Sequence, residues 1–213
     1  MKERAGFIER HKKILTYVTI ASYIIAIYLS FSNSLALFAV LFPQIIGIIY
    51  SIKISDFRLK DITGVKNIVV ALSWAVVGTF LPLGNTRRNW VQILLIFYLF
   101  FTKLFINTVL FDVRDIEGDS ANGVITIPVL LGIEKTRTLL LILNSTLIFW
   151  LVFSYLQGFF QKYLLIIIFA IFYGYWYILH FCREGIKIGK SLDLLVDGEW
   201  IPIAILALIF SRF

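Results

Sequence analysis

Long apolar runs recur along this chain with only short polar stretches between them, and they restrict its fold more than any other feature. A helix crossing a bilayer takes about 20 consecutive, mainly apolar residues. Seven segments approach that pattern, at 14–30, 34–50, 67–84, 91–111, 138–157, 163–181 and 198–212. The runs are continuous rather than alternating, which argues against the strands of a membrane barrel. Hydrophobic residues make up 60% of the 213, against about 45–50% in soluble domains. Their spread over the whole length excludes a soluble domain with one anchor. The expectation is an all-α membrane protein, a polytopic bundle of about seven transmembrane helices in which residues 1–213 form a single domain.

A formal charge of +7 raises the possibility of nucleic-acid binding, so the placement of the cations decides its meaning. Fifteen of the 20 Lys and Arg residues lie in the N-terminal segment and in the connections 51–66, 112–137 and 182–197. Four lie on the alternate connections or after the last run, and Lys103 stands inside a run. The positive-inside rule places the three long connections, and with them any active-site loops, on the cytoplasmic side. The basic residues thus have a membrane explanation, and nucleic acid drops out as a partner. Cys182 is the one cysteine, so neither an intrachain disulfide nor a cysteine-based metal site is available.

Chemistry concentrates after the fourth run, in Phe111-Asp-Val-Arg-Asp-Ile-Glu-Gly-Asp-Ser-Ala-Asn-Gly123. Asp112, Asp115 and Asp119 are spaced i, i+3 and i+7, which puts them on one face of an uninterrupted helix. Carboxylates this close repel unless a cation sits among them. Oxygen-only ligands point to Mg²⁺ or Ca²⁺ over zinc. Because Mg²⁺ is commonly shared between carboxylates and substrate phosphates, the spacing implies a phosphorylated substrate that reaches the membrane. Arg114 is either an ion-pair partner within this cluster or a phosphate ligand.

The 51–66 connection adds Lys53, Arg58, Lys60 and Lys66 on the same side of the membrane. Cations facing a metal-bearing carboxylate site suit a diphosphate leaving group, and Arg58 and Lys60 are favoured as a functional pair. Lys103 lies about 13 Å up its helix from Asp112, with Asn107 one turn away. An ionisable side chain at that depth faces the bundle interior or a wet cavity. Pairing with a backbone carbonyl and contact with substrate both remain open for it.

Asp112-Val-Arg-Asp-Ile-Glu-Gly-Asp119, followed by Gly123, Thr126, Pro128 and Gly132, resembles the second aspartate-rich motif of the UbiA-type intramembrane prenyltransferases. The stretch from Tyr50 through Arg58 and Lys60 to Lys66-Asn67 is similar to that family's basic loop. The resemblance implies nine helices around a central cavity and Mg²⁺-assisted ionisation of a prenyl diphosphate. The allylic cation is then captured by an aromatic ring or a glycerol-phosphate hydroxyl, a hydrophobic or lipid-phosphate acceptor drawn from the membrane. On this basis Asp112, Asp115 and Asp119 are candidate metal ligands. Arg58, Lys60 and Lys103 are candidate catalytic cations, and Arg114, Lys66, Tyr50 and Asn107 candidate substrate contacts.

The family's first motif, Asn-Asp-x-x-Asp-x-x-x-Asp, has no counterpart in these residues. The chain therefore resembles helices three to nine of the nine-helix fold. The corresponding expectation is that transfer requires a complementing N-terminal segment. Two other classes compete: a cation-coupled transporter using Asp115, Asp119 and Lys103, and a non-catalytic membrane remnant. Transporters place such charges near the midplane, whereas these carboxylates sit at a helix end.

Overall fold

The computed structural model describes residues 2–52, 62–83, 89–183, 189 and 191–211. Regular structure among them is entirely helical: α1 (Lys2–Ser30), α2 (Ser34–Ser51), α3 (Val65–Phe80), α4 (Trp90–Arg114), α5 (Ile116–Ala121), α6 (Ile127–Leu131), α7 (Ile133–Leu156), α8 (Leu164–Phe181), α9 (Ser191–Leu195) and α10 (Trp200–Ser211). Short 3₁₀ turns at Gln161–Tyr163 and Asp197–Glu199 lead into α8 and α10. This is an integral, multi-pass membrane protein.

Each of the seven expected runs has a helix, but not each helix has the length to cross. Five do, over Gly6–Ser30, Ser34–Ser51, Trp90–Arg114, Ile133–Leu156 and Gln161–Phe181. The 16 residues of α3 reach about 24 Å and the 12 of α10 about 18 Å, against roughly 30 Å of hydrocarbon. The polytopic helical bundle is as expected, and among the described residues five of its helices reach spanning length while α3 and α10 are shorter. The last apolar run includes residues 198–199, which lie in the 3₁₀ turn that ends at Glu199, and α10 begins only at Trp200.

Successive helices pack as hairpins, α1 on α2, α2 on α3, α3 on α4 and α7 on α8, while α4 also packs on α7. Side-chain bonds fix these pairings. Asn33 caps α2, accepting from the amides of Leu35 at 3.0 Å and Ala36 at 3.3 Å, and its amide donates to Leu83 O beyond α3. Trp150 Nε1 donates to Leu95 O at 2.7 Å, joining α7 to α4. The main buried cluster comprises Ile106, Val109 and Leu110 of α4, Leu140 of α7, Tyr177, Ile178 and Phe181 of α8, and Leu192 and Val196 near α9. By contrast α1 exposes Ile14, Ile24 and Tyr28. Such faces meet lipid in a membrane protein and are not packing defects.

Cys182 closes α8, fully buried. Burial pushes its thiol up to about 12, with the Arg137 charge opposing and Glu134 adding. Since the thiolate is the nucleophile, alkylation of the native protein by maleimide at pH 7 is expected to be at least tenfold slower than after denaturation. Equal rates, measured by mass shift, would mean that α8 and α9 do not enclose this position.

Candidate functional site

The ends of α2, α3 and α4 converge at one end of the bundle. Gly64, at φ 79°, precedes α3 in the left-handed region that glycine adopts without strain. It also lies under α6, where an added Cβ would come to 3.4 Å from Ile127 Cδ1. The turn places Lys66 and Asn67 at the start of α3. Lys66 Nζ donates to Asp112 Oδ1 and Asn67 Nδ2 to Asp112 Oδ2, each at 2.8 Å. Asp112 is 2% exposed, so both lone-pair edges of a buried carboxylate are satisfied by a neighbouring helix. Tyr50, at the end of α2, is near enough to Lys66 to act on its charge.

The acidic stretch is not one continuous helix. α4 ends at Arg114, Asp115 takes φ −95° and ψ 7°, and α5 starts at Ile116. The chain keeps a helix-like hydrogen bond across the break, from the Asp119 amide to Asp115 O at 2.9 Å. The three carboxylates thus lie on α4, at the junction and on α5, and they take different partners. Asp112 turns to α3. Asp115 takes Arg114 Nε on Oδ1 at 3.0 Å and Nη2 on Oδ2 at 3.2 Å. The third donor of that guanidinium, Nη1, reaches Asp193 Oδ1 of α9 at 3.0 Å. Asp119 sits in α5, half-buried. Its carboxyl is held above the usual range by burial first and then by the Asp112 and Asp115 charges, with Lys66 opposing.

These donors test the fit of a hard cation. Among the described residues no three His, Cys, Asp or Glu side chains gather closely enough to enclose an ion. Asp112 and Asp115 already accept from Lys66, Asn67 and Arg114. A closed protein cage is therefore absent there. An open site fits, because Mg²⁺ is usually held by one or two carboxylates with phosphate oxygens and waters completing the shell. Asp119 carries negative charge crowded by two other carboxylates, which is what a cation relieves.

Lys103 and Asn107 belong elsewhere. Nine residues separate Lys103 from Asp112, so the two point about 180° apart around α4. Lys103, 1% exposed, lies 2.9 Å from Glu199 Oε2, donates to Ala170 O at 3.0 Å and stands 4.7 Å above the Tyr177 ring. Asn144 donates to Ile171 O at 3.0 Å beside it. Gly174 makes room for both, since an added Cβ would collide with Asn144 Oδ1 and come to 3.0 Å from Lys103 Nζ. Asn107 is buried, and neither of its amide atoms has a hydrogen-bond partner among the described residues. Arg58 and Lys60 lie outside the described residues.

Two participants escaped the sequence reading. Glu199 falls inside the last apolar run, and a lone acid there and a lone lysine in the fourth run are natural partners. Asp193 carries no motif, and it lies 79 positions from Arg114.

Lys66, Asn67 and Arg114 thus brace the acidic residues at one end of a helical membrane bundle. A family model, the UbiA prenyltransferase family, matches residues 9–186, and the chain belongs to that family. Among curated proteins, the digeranylgeranylglyceryl phosphate synthase of Sulfurisphaera tokodaii is 29% identical over 157 residues. That alignment covers 71% of this chain and 54% of the relative, so the chain spans about half the relative's length. No solved structure gives a significant match.

Proposed function

We propose that this chain is a prenyltransferase, or the larger part of one, moving a prenyl group from a prenyl diphosphate to a glycerol-phosphate hydroxyl or a similar lipid acceptor. The observation that carries this reading is the open acidic site of Asp115 and Asp119 beside Lys66 and the buried Asp112. In it, Asp115 and Asp119 hold Mg²⁺ together with the diphosphate, and Asp112 is auxiliary. The ion supplies charge neutralisation for the departing diphosphate. Lys66 adds a positive charge at the same mouth, and Tyr50 borders it. Arg114 meets the diphosphate when it leaves Asp115. Arg58 and Lys60 are assigned the same task from the preceding loop. The allylic C–O bond breaks, the acceptor oxygen forms the new C–O bond, and its proton is lost with diphosphate as the second product. Lys103 and Asn107, on the opposite face of α4, are placed with the prenyl chain or acceptor deeper in the bundle. Residues 1–213 act as one domain, completed by a segment bearing the family's first acidic motif.

The relative's name carries two geranylgeranyl groups on glyceryl phosphate, so a glycerol-phosphate acceptor is tested first. The experiment follows radiolabelled geranylgeranyl diphosphate into lipid in proteoliposomes, with the chain alone and with the relative's N-terminal half co-expressed. Mg²⁺-dependent transfer in either arm supports the reading. Its absence in both, with the folded chain present, rejects it.

The reading also sets an orientation, with the acidic end cytoplasmic. A cysteine introduced at Asn33, in a Cys182→Ser background, is expected to label from outside right-side-out cells and not from the cytoplasm. Labelling from the cytoplasm alone would reverse the topology.

A further inference from the structure

Arg114 is divided between two acids from distant parts of the chain. Its Nε and Nη2 cover both oxygens of Asp115, and its Nη1 holds Asp193. The Phe111 ring lies 4.8 Å beneath the guanidinium carbon and limits where the plane can turn. Asp193 is itself well placed, because its neighbours Leu192 and Val196 are buried in the main apolar cluster. The Tyr173 hydroxyl fastens the same segment by donating to Leu195 O at 2.9 Å. A carboxylate whose two oxygens are taken by a guanidinium is a poorer ligand for a cation, since both positive groups compete for the same lone pairs. Asp193 offers Arg114 a second anion at fixed distance, so the guanidinium has a counter-charge when it yields Asp115.

We infer that Asp193 is a positioning residue for the acidic motif, drawing Arg114 off Asp115 and so setting how readily Asp115 accepts a divalent cation with its diphosphate. This rests on the reading of Asp115 and Asp119 as cation ligands. Arg114 then acts as an internal counter-cation for Asp115 that turns to the diphosphate when it binds. Both acids of the pair are partly exposed, 45% at Asp115 and 46% at Asp193, so the effect is that of a screened ion pair.

The test measures binding of Mn²⁺, a spectroscopic substitute for Mg²⁺, by electron paramagnetic resonance. It uses the full chain in lipid nanodiscs with inorganic pyrophosphate present. Asp193→Asn is expected to weaken Mn²⁺ binding about two- to fivefold, the scale of an exposed ion pair, while Asp193→Glu restores it. With pyrophosphate omitted, Arg114→Gln is expected to bind Mn²⁺ more tightly than the unaltered protein, because Asp115 is then free of its guanidinium. Adding Asp193→Asn to Arg114→Gln should then change nothing further, a non-additivity that a merely structural role would not produce. Unchanged affinity in Asp193→Asn, or a further loss in the double variant, overturns the inference. If Mn²⁺ binds and Asp119→Asn abolishes it while Asp193→Asn is silent, this inference alone fails. If neither the unaltered protein nor Arg114→Gln binds Mn²⁺, the ligand assignment fails with it.

Discussion

Glu199→Ala is expected to destabilise the bundle by roughly 3–5 kcal/mol, the cost of leaving one member of a buried ion pair without its partner. Lys103 and Glu199 are 1% and 0% exposed and 2.9 Å apart. They join the middle of α4 to the 3₁₀ turn that precedes α10. Removing the carboxylate leaves the ammonium with the Ala170 carbonyl and the face of Tyr177, neither of which carries a full negative charge. The double change Lys103→Met with Glu199→Gln removes the charges together and is expected to recover most of the loss, because a buried pair is worth little over apolar groups of similar shape. Unfolding in mixed micelles, followed by circular dichroism and by Cys182 alkylation, gives both values. A single variant within about 1 kcal/mol of the unaltered protein, or a double variant worse than either single, would show that the pair does not hold α10.

That pair also marks where the sequence is legible and where it is not. The apolar runs give the helices because each is a local property: α4, α7 and α8 lie where 91–111, 138–157 and 163–181 place them, within a few residues at either end apart from the longer starts of α7 and end of α4. Lys103 is conspicuous in the sequence because charge inside a span is costly. Its partner is not, since pairing across 96 positions depends on how α4 and α10 pack. Asp193 and Arg114 are hidden for the same reason. The acidic stretch shows a second limit. Its spacing is helical throughout, and nothing in it marks the end of α4 at Arg114. The helix is interrupted at Asp115, and the three carboxylates find different neighbours. Asp112 goes to Lys66 and Asn67, Asp115 to Arg114, and Asp119 to the mouth of the site.

This division predicts opposite outcomes for two aspartates of one motif. Asp112→Ala leaves the Asn67 amide buried without an acceptor, at a cost of about 1–3 kcal/mol, and releases Lys66 from the end of α4. Its main effect is expected on stability, as a lower unfolding midpoint, with loss of pyrophosphate affinity following from the displaced Lys66. Asp119→Asn behaves differently. In the folded protein that carboxyl is held above its usual range by burial and by Asp112 and Asp115, so its charged form is disfavoured by folding. Neutralising it removes repulsion, and the unfolding midpoint should stay the same or rise. For the same reason any unfavourable contribution from Asp119 is present at neutral pH and fades as the pH falls through its raised pKa. Binding moves the other way. With one of two open-site carboxylates gone, Mn²⁺ affinity in the presence of pyrophosphate is expected to fall at least tenfold, on the order of 1.4 kcal/mol, and Mg²⁺-dependent transfer with it wherever transfer is observed. Asp115→Asn should match Asp119→Asn in binding, while also freeing Arg114 for Asp193. Unfolding midpoints and Mn²⁺ titrations on the same three preparations decide the matter. If Asp119→Asn lowers the midpoint as far as Asp112→Ala and leaves Mn²⁺ binding intact, the roles are reversed and the cation site is not at α5.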